Sequence, residues 1–164
     1  MYWHYDKLSE KNGTIFVHLA AESESEYTAI YENHGGCERG YFHTEDKVIT
    51  IPKRTNDDIE IAIPDLILKN NNEKEILLIE GKKSENVQLG IQELEPYYII
   101  ENKIILKEYV DYKIDRWVVL YGDIVPDIFQ KEYVLFQLFS NGKVWINSKA
   151  PRDFKNMINK FIAN

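Results

Sequence analysis

Two apolar runs around a polar turn decide how this chain folds: Ile63-Pro64-Asp65-Leu66-Ile67-Leu68, then Lys69-Asn70-Asn71-Asn72-Glu73-Lys74, then Ile76-Leu77-Leu78-Ile79-Glu80-Gly81-Lys82. The middle has turn composition, because asparagine side chains hydrogen-bond nearby backbone and tolerate left-handed φ. The last run is continuously apolar, as in a strand covered on both faces. Three charged residues, Asp65, Glu80 and Lys82, stand at the ends of these runs. Burying a charge is costly unless it is paired or bound to a metal. Strand residues two apart share a face, so Glu80 and Lys82 point the same way. A hairpin symmetric about Asn72 and Glu73 puts Asp65 opposite Glu80, with Cβ atoms about 4.5–5.5 Å apart.

Two carboxylates that close repel unless a proton or a cation intervenes. A hard divalent cation takes oxygen ligands from carboxylates, backbone carbonyls and water. Mg²⁺ fits, with Asp65 and Glu80 as ligands and the backbone carbonyl of Gly81 as a third oxygen. Lys82 beside it would position or deprotonate an attacking water and stabilise a pentavalent phosphate. The chemistry is metal-assisted hydrolysis, in which the cation acidifies water and screens developing negative charge.

Pro64-Asp65, fourteen residues, then Glu80-Gly81-Lys82 resembles the PD-(D/E)xK nuclease superfamily, the fold of many type II restriction endonucleases. The resemblance covers about residues 20–122. It implies an α/β fold with a mixed central β-sheet flanked by helices, a restriction-endonuclease-like core. It also implies a Mg²⁺-dependent endonuclease, with Mn²⁺ as a substitute, cutting double-stranded DNA to a 5′-phosphate and a 3′-hydroxyl. By carry-over, Asp65, Glu80 and Lys82 are catalytic, and Asp65, Glu80 and the Gly81 carbonyl hold the metal. Many members add an acidic residue from the first helix; here Glu24 is the candidate, with Glu26 second. Pro126-Asp127 with Asp153-Phe154-Lys155 also satisfies the bare pattern, but Asp153 follows no apolar strand and reads as a helix start. Some branches carry Gln-x-x-x-Tyr on the next helix; here Gln92 is followed by Pro96, with Tyr97 one position too far. Gln88 and Gln92, one helical turn apart, and Lys83 are candidate DNA contacts.

Outward from the hairpin, residues 14–21 form a short apolar piece of uncertain type. Ser23 with Glu26 fits a capping box. Glu24, Tyr27, Tyr31 and His34 then share one side of a predicted helix, which Gly35-Gly36 would stop. Residues 47–53 alternate like a strand, 55–58 form a turn, and 59–68 read as the strand leading into the hairpin. Ser84 is placed to cap a helix over 85–95, with Val87, Ile91 and Leu94 inward and Pro96 at its end. Residues 99–113 are ambiguous. Residues 116–121 form another buried strand, and 133–147 a hairpin around Asn141-Gly142. A helix over 151–162 turns Phe154, Ile158 and Phe161 inward. The order predicts one domain over 1–164: a core, then a hairpin and helix over about 131–163.

Composition bounds the reading. The chain has 164 residues, 44% hydrophobic and 29% charged, an ordinary soluble balance. No apolar run approaches a membrane span, and no secretory leader is visible, so an intracellular, cytoplasmic protein is expected. The single cysteine, Cys37, excludes an internal disulfide. His4, His18, His34 and His43 lack zinc-ligand spacing. Trp3, Trp117 and Trp145 read as core residues. The net charge of −7 is uneven: residues 1–80 carry 8 Lys/Arg and 16 Asp/Glu, residues 81–164 carry 12 and 11. The basic C-terminal cluster fits either a DNA-facing or a solvated helix. Cutting both strands with one site per chain implies a homodimer. The alternatives are a junction resolvase, repair or phage nuclease of the same fold, or a non-catalytic DNA- or protein-binding domain.

Overall fold

The computed structural model describes residues 10–32, 39–43, 48–52 and 62–164. Its centre is the expected hairpin, β4 (Leu66–Asn70) and β5 (Glu75–Lys83), paired antiparallel with Leu66 opposite Ile79 and Asn70 opposite Glu75. That is the register the symmetric turn requires. Strand β1 (Tyr27–Glu32) lies antiparallel to β4 on the other side. Strand β6 (Lys113–Tyr121) runs parallel to β5, β7 (Val134–Leu138) parallel to β6, and β8 (Val144–Ile146) antiparallel to β7. The result is an α/β architecture around a six-stranded mixed sheet in the order β1-β4-β5-β6-β7-β8. Strands β2 (Arg39–His43) and β3 (Val48–Pro52) form a separate antiparallel pair.

Helices cover both faces of the sheet. Helix α1 (Asn12–Glu22) and helix α6 (Arg152–Ala163) lie on one face. Gly13, Phe16, Val17 and Ala20 recur at i, i+3, i+4 and i+7 of α1, the stripe that buries a helix against a sheet. Phe16, Val17, Leu77, Ile79, Phe136, Phe154 and Ile158 make that core. On the other face, helix α2 (Val87–Leu94) continues into a 3₁₀ turn (Glu95–Tyr97) containing Pro96. Short helix α3 (Tyr98–Ile100), a π turn and helix α4 (Leu106–Glu108) follow. Ile67, Ile76, Leu78, Leu94, Ile100, Val118 and Leu120 pack there. Period-two alternation sends Leu77 and Ile79 to the first core and Ile76 and Leu78 to the second. Full burial of each such side chain contributes about 1.5–3 kcal/mol.

Several expected elements move. Residues 14–21 belong to α1, and the helix expected from Ser23 is strand β1. Ser23 closes α1, its N–H donating to the Ala20 carbonyl, instead of opening a helix. The strand expected over 47–53 is β3, but it pairs with β2, and β1 takes the place beside β4. Residues 62–65 are not strand, and β4 begins at Leu66. The Ser84 hydroxyl accepts the Ile124 N–H at 3.1 Å, and a 3₁₀ turn, Ser84–Asn86, precedes α2. The C-terminal hairpin and α6 stand as expected, with Phe154 and Ile158 buried and Phe161 packed at the margin. The Gly35-Gly36 stop, the turn at 55–58, residues 59–61, Trp3, His4, His34 and Cys37 lie outside the described residues. Among the described residues, no helix is long and apolar enough to cross a membrane.

Candidate active site

The Asp65 N–H donates to the Ile79 carbonyl at 2.9 Å, which carries the β4–β5 ladder one step past Leu66. Asp65 is thereby set opposite Glu80. Both are nearly buried, at 8% and 5% exposure. The two oxygens of Asp65 are engaged: Oδ2 accepts the Gly81 N–H at 2.8 Å, and Oδ1 takes the Lys11 ammonium at 2.6 Å. Glu80 accepts the Tyr97 hydroxyl from the turn after α2. Burial, then the facing Asp65 and next Glu93, push the Glu80 carboxyl up to about 10, with Lys11 pulling the other way.

Lys82 shares the Glu80 face, as strand alternation requires. Its stem runs beside Gly90 of α2, where a methyl group would come within 2.9 Å of the Lys82 Cγ. Its ammonium lies 3.0 Å from a Glu93 oxygen and 3.9 Å from Glu80. Gly81 points to the other face, under the start of α1. An added Cβ there would meet the Thr14 methyl at 2.8 Å and the Glu10 carbonyl at 2.9 Å. Gly81 thus lets α1 approach close enough for Lys11 to reach Asp65.

The other expected residues scatter. Glu24 is not part of the site. It sits in the turn between α1 and β1 at φ 39°, with its carboxylate 3.7 Å from Lys160. Glu26 binds the Asn72 side chain in the β4–β5 turn. Because β1 pairs Tyr27 with Asn70, both acids fall at the turn end of the hairpin, whereas Asp65 and Glu80 occupy its open end. Gln88 and Gln92 are exposed on α2, and Lys83 is half-buried at the end of β5. Glu93, and neither glutamine, stands beside Lys82: it lies one turn after Gly90, on the side of α2 that meets the Lys82 ammonium. The residues of the second pattern match have structural roles: Asp127 caps helix α5 (Ile128–Lys131), and Asp153, in the first turn of α6, accepts from the Asn70 side chain.

Lys11, Glu93 and Tyr97 are the site's additions. Gly90, Glu93 and Tyr97 follow i, i+3, i+7, a weak signal. Lys11 leaves no local signal, because its partner is 54 residues away. Among the described residues, no group of three or more His, Cys, Asp or Glu comes together as a metal-ligand cluster. The donor set is two facing carboxylates and backbone oxygens. It suits a hard cation that keeps several waters, and Asp65 already holds a positive group. Compared with family models, with curated proteins and with solved structures, the chain matches none.

Proposed function

We propose that this protein is a Mg²⁺-dependent endodeoxyribonuclease of the PD-(D/E)xK type, cutting duplex DNA as a type II restriction enzyme and working as a homodimer. The observation that carries the reading is the pair of buried carboxylates on facing strand ends, with Lys82 beside Glu80 on the same face. The arrangement of α1, antiparallel β1-β4-β5, α2 and parallel β6 supports it, since the resemblance implies a mixed central sheet flanked by helices.

In this reading Asp65, Glu80 and the Gly81 carbonyl hold Mg²⁺, which supplies Lewis acidity to a water and charge for the phosphate. Lys82 orients the water and faces the developing charge on the phosphate. Glu93 fixes the Lys82 ammonium, and Tyr97 fixes the rotamer of Glu80. The Asp65 side chain is locked by the Gly81 N–H. Gln88, Gln92 and Lys83, at the rim, are the DNA contacts.

The test incubates the protein with plasmid and phage DNA, with Mg²⁺ or with EDTA, beside Lys82→Ala. Discrete fragments are expected with Mg²⁺ alone, and Lys82→Ala should lose at least about a hundredfold in rate. Smearing or nicking would retain a nuclease and remove the restriction assignment. No cleavage of duplex, branched or single-stranded DNA would remove the enzyme and leave a binding module.

A further inference from the structure

Two buried carboxylates facing each other need a compensating charge, and the structure supplies it unevenly. Lys82 is drawn toward Glu93, at 3.0 Å, and stands 3.9 Å from Glu80. Lys11 lies much closer to its carboxylate, 2.6 Å from Asp65 Oδ1. It is the residue that opens α1, so its backbone is fixed by the helix while its ammonium stands at the end of a flexible four-carbon stem. Its side chain is 20% exposed, which leaves a way out to solvent. On that outer side stands Glu10, 43% exposed, with Oε1 3.7 Å from the ammonium.

We propose that Lys11 is a tethered counter-ion that holds the metal position at Asp65 and is displaced toward Glu10 when a divalent cation binds. This rests on the reading of Asp65 and Glu80 as metal ligands. Mg²⁺ takes carboxylate oxygens at about 2.0–2.1 Å. An ammonium at hydrogen-bond distance from the same carboxylate would face a double positive charge across a few ångströms. One of the two must leave, and only the ammonium can do so without moving the backbone. The cation-free site therefore stays folded with its carboxylates compensated. Metal affinity is lowered by the work of removing Lys11, and the released ammonium stays at the mouth of the site.

The test is Mg²⁺ titration calorimetry on the full chain, comparing the wild type with Lys11→Met and Lys11→Arg. Lys11→Met keeps the stem and removes the competitor, so Mg²⁺ should bind about tenfold more tightly or better, a change of about 1.4 kcal/mol. Lys11→Arg should bind no more tightly than the wild type. Equal or weaker binding by a folded Lys11→Met protein overturns the inference while leaving the metal site in place. Absence of Mg²⁺ uptake by all three proteins overturns the inference and the metal site together. Should Lys11→Met fail to fold, crystals of the wild type grown with and without Mn²⁺ decide. Mn²⁺ on Asp65 should be accompanied by loss of the Lys11 contact, and Mn²⁺ bound with Lys11 still on Asp65 Oδ1 overturns the inference.

Discussion

Glu75 and Glu80 belong to one strand and face opposite cores, and burial raises the carboxyl of each. For Glu75, the Tyr27 hydroxyl works against burial, while Asp115, Asp153 and Glu73 add to it. A carboxyl raised on folding binds its proton more tightly in the native state. Native stability is then lost as pH climbs above the ordinary value of 4.5. Glu75→Gln keeps an acceptor for Tyr27 and removes the charge. It should melt about 2–4 °C above the wild type at pH 8, a shift worth roughly 1 kcal/mol in a chain this size. It should match the wild type at pH 4. Parallel Tm-against-pH curves for the two proteins would show that Glu75 is ionised freely in the fold. At this scale the sequence was most readable where contacts are local to one hairpin. The turn composition around Asn72 set the register, and the register set Asp65 against Glu80. Lys11 reaches the site through tertiary packing, which no spacing encodes, and Tyr97 shows only in its i+7 spacing from Gly90.

Strand β1 shows why an element can be misread. Its register shifts between Ala29 and Tyr31, so Tyr27, Ile30 and Tyr31 are all buried. A bulge inserts one residue and breaks strict alternation. Apolar positions at i, i+3 and i+4 then imitate a helical stripe. The β4–β5 hairpin carries no such irregularity, and its register was legible even though β4 runs from Leu66 to Asn70 and not over 59–68. Helix α1 was obscured for a different reason: Thr14, Ile15 and Val17 are β-branched, and the helix forms because its stripe is buried against the sheet. That packing makes Gly81 a sensitive position. Gly81→Ala pushes a methyl group toward Thr14, in the first turn of α1, and the carbonyl of Glu10, two residues ahead of the helix. The strain should cost about 1–3 kcal/mol, read as a lowered Tm. Adding Thr14→Ser, which removes the contacting methyl, should recover part of it. A Gly81→Ala protein that melts like the wild type would show that α1 shifts freely over β5.

Across the whole molecule, the uneven charge of the two halves is used internally. Arg152 and Lys160 of the basic C-terminal helix lie beside Glu73 and Glu24 at the turn end of the hairpin. These two contacts lie at the opposite end of the hairpin from Asp65 and Glu80 and join the two halves there. From the β4–β5 hairpin onward, the succession of hairpin, helix, strand, hairpin and helix was readable from the sequence. The first helix and the strand beside β4 were not, because β1 imitates a helix and the β2–β3 pair separates it from β4.

The placement of β5 carries a last consequence. It is third in the sheet, bonded to β4 and β6, and its residues from Glu75 to Lys82 are buried. Amides in such a position exchange with solvent deuterium only when the entire fold opens. Exchange measured by mass spectrometry should therefore be slowest over residues 76–82, and fast at the half-buried edge strand β8. Early deuteration of 76–82 would mean that β5 opens by itself. If protection is as deep as its position implies, the carboxylates cannot drift apart by local fraying. Destabilising substitutions elsewhere would then subtract activity only in proportion to the molecules they unfold, and every molecule still folded would be fully competent.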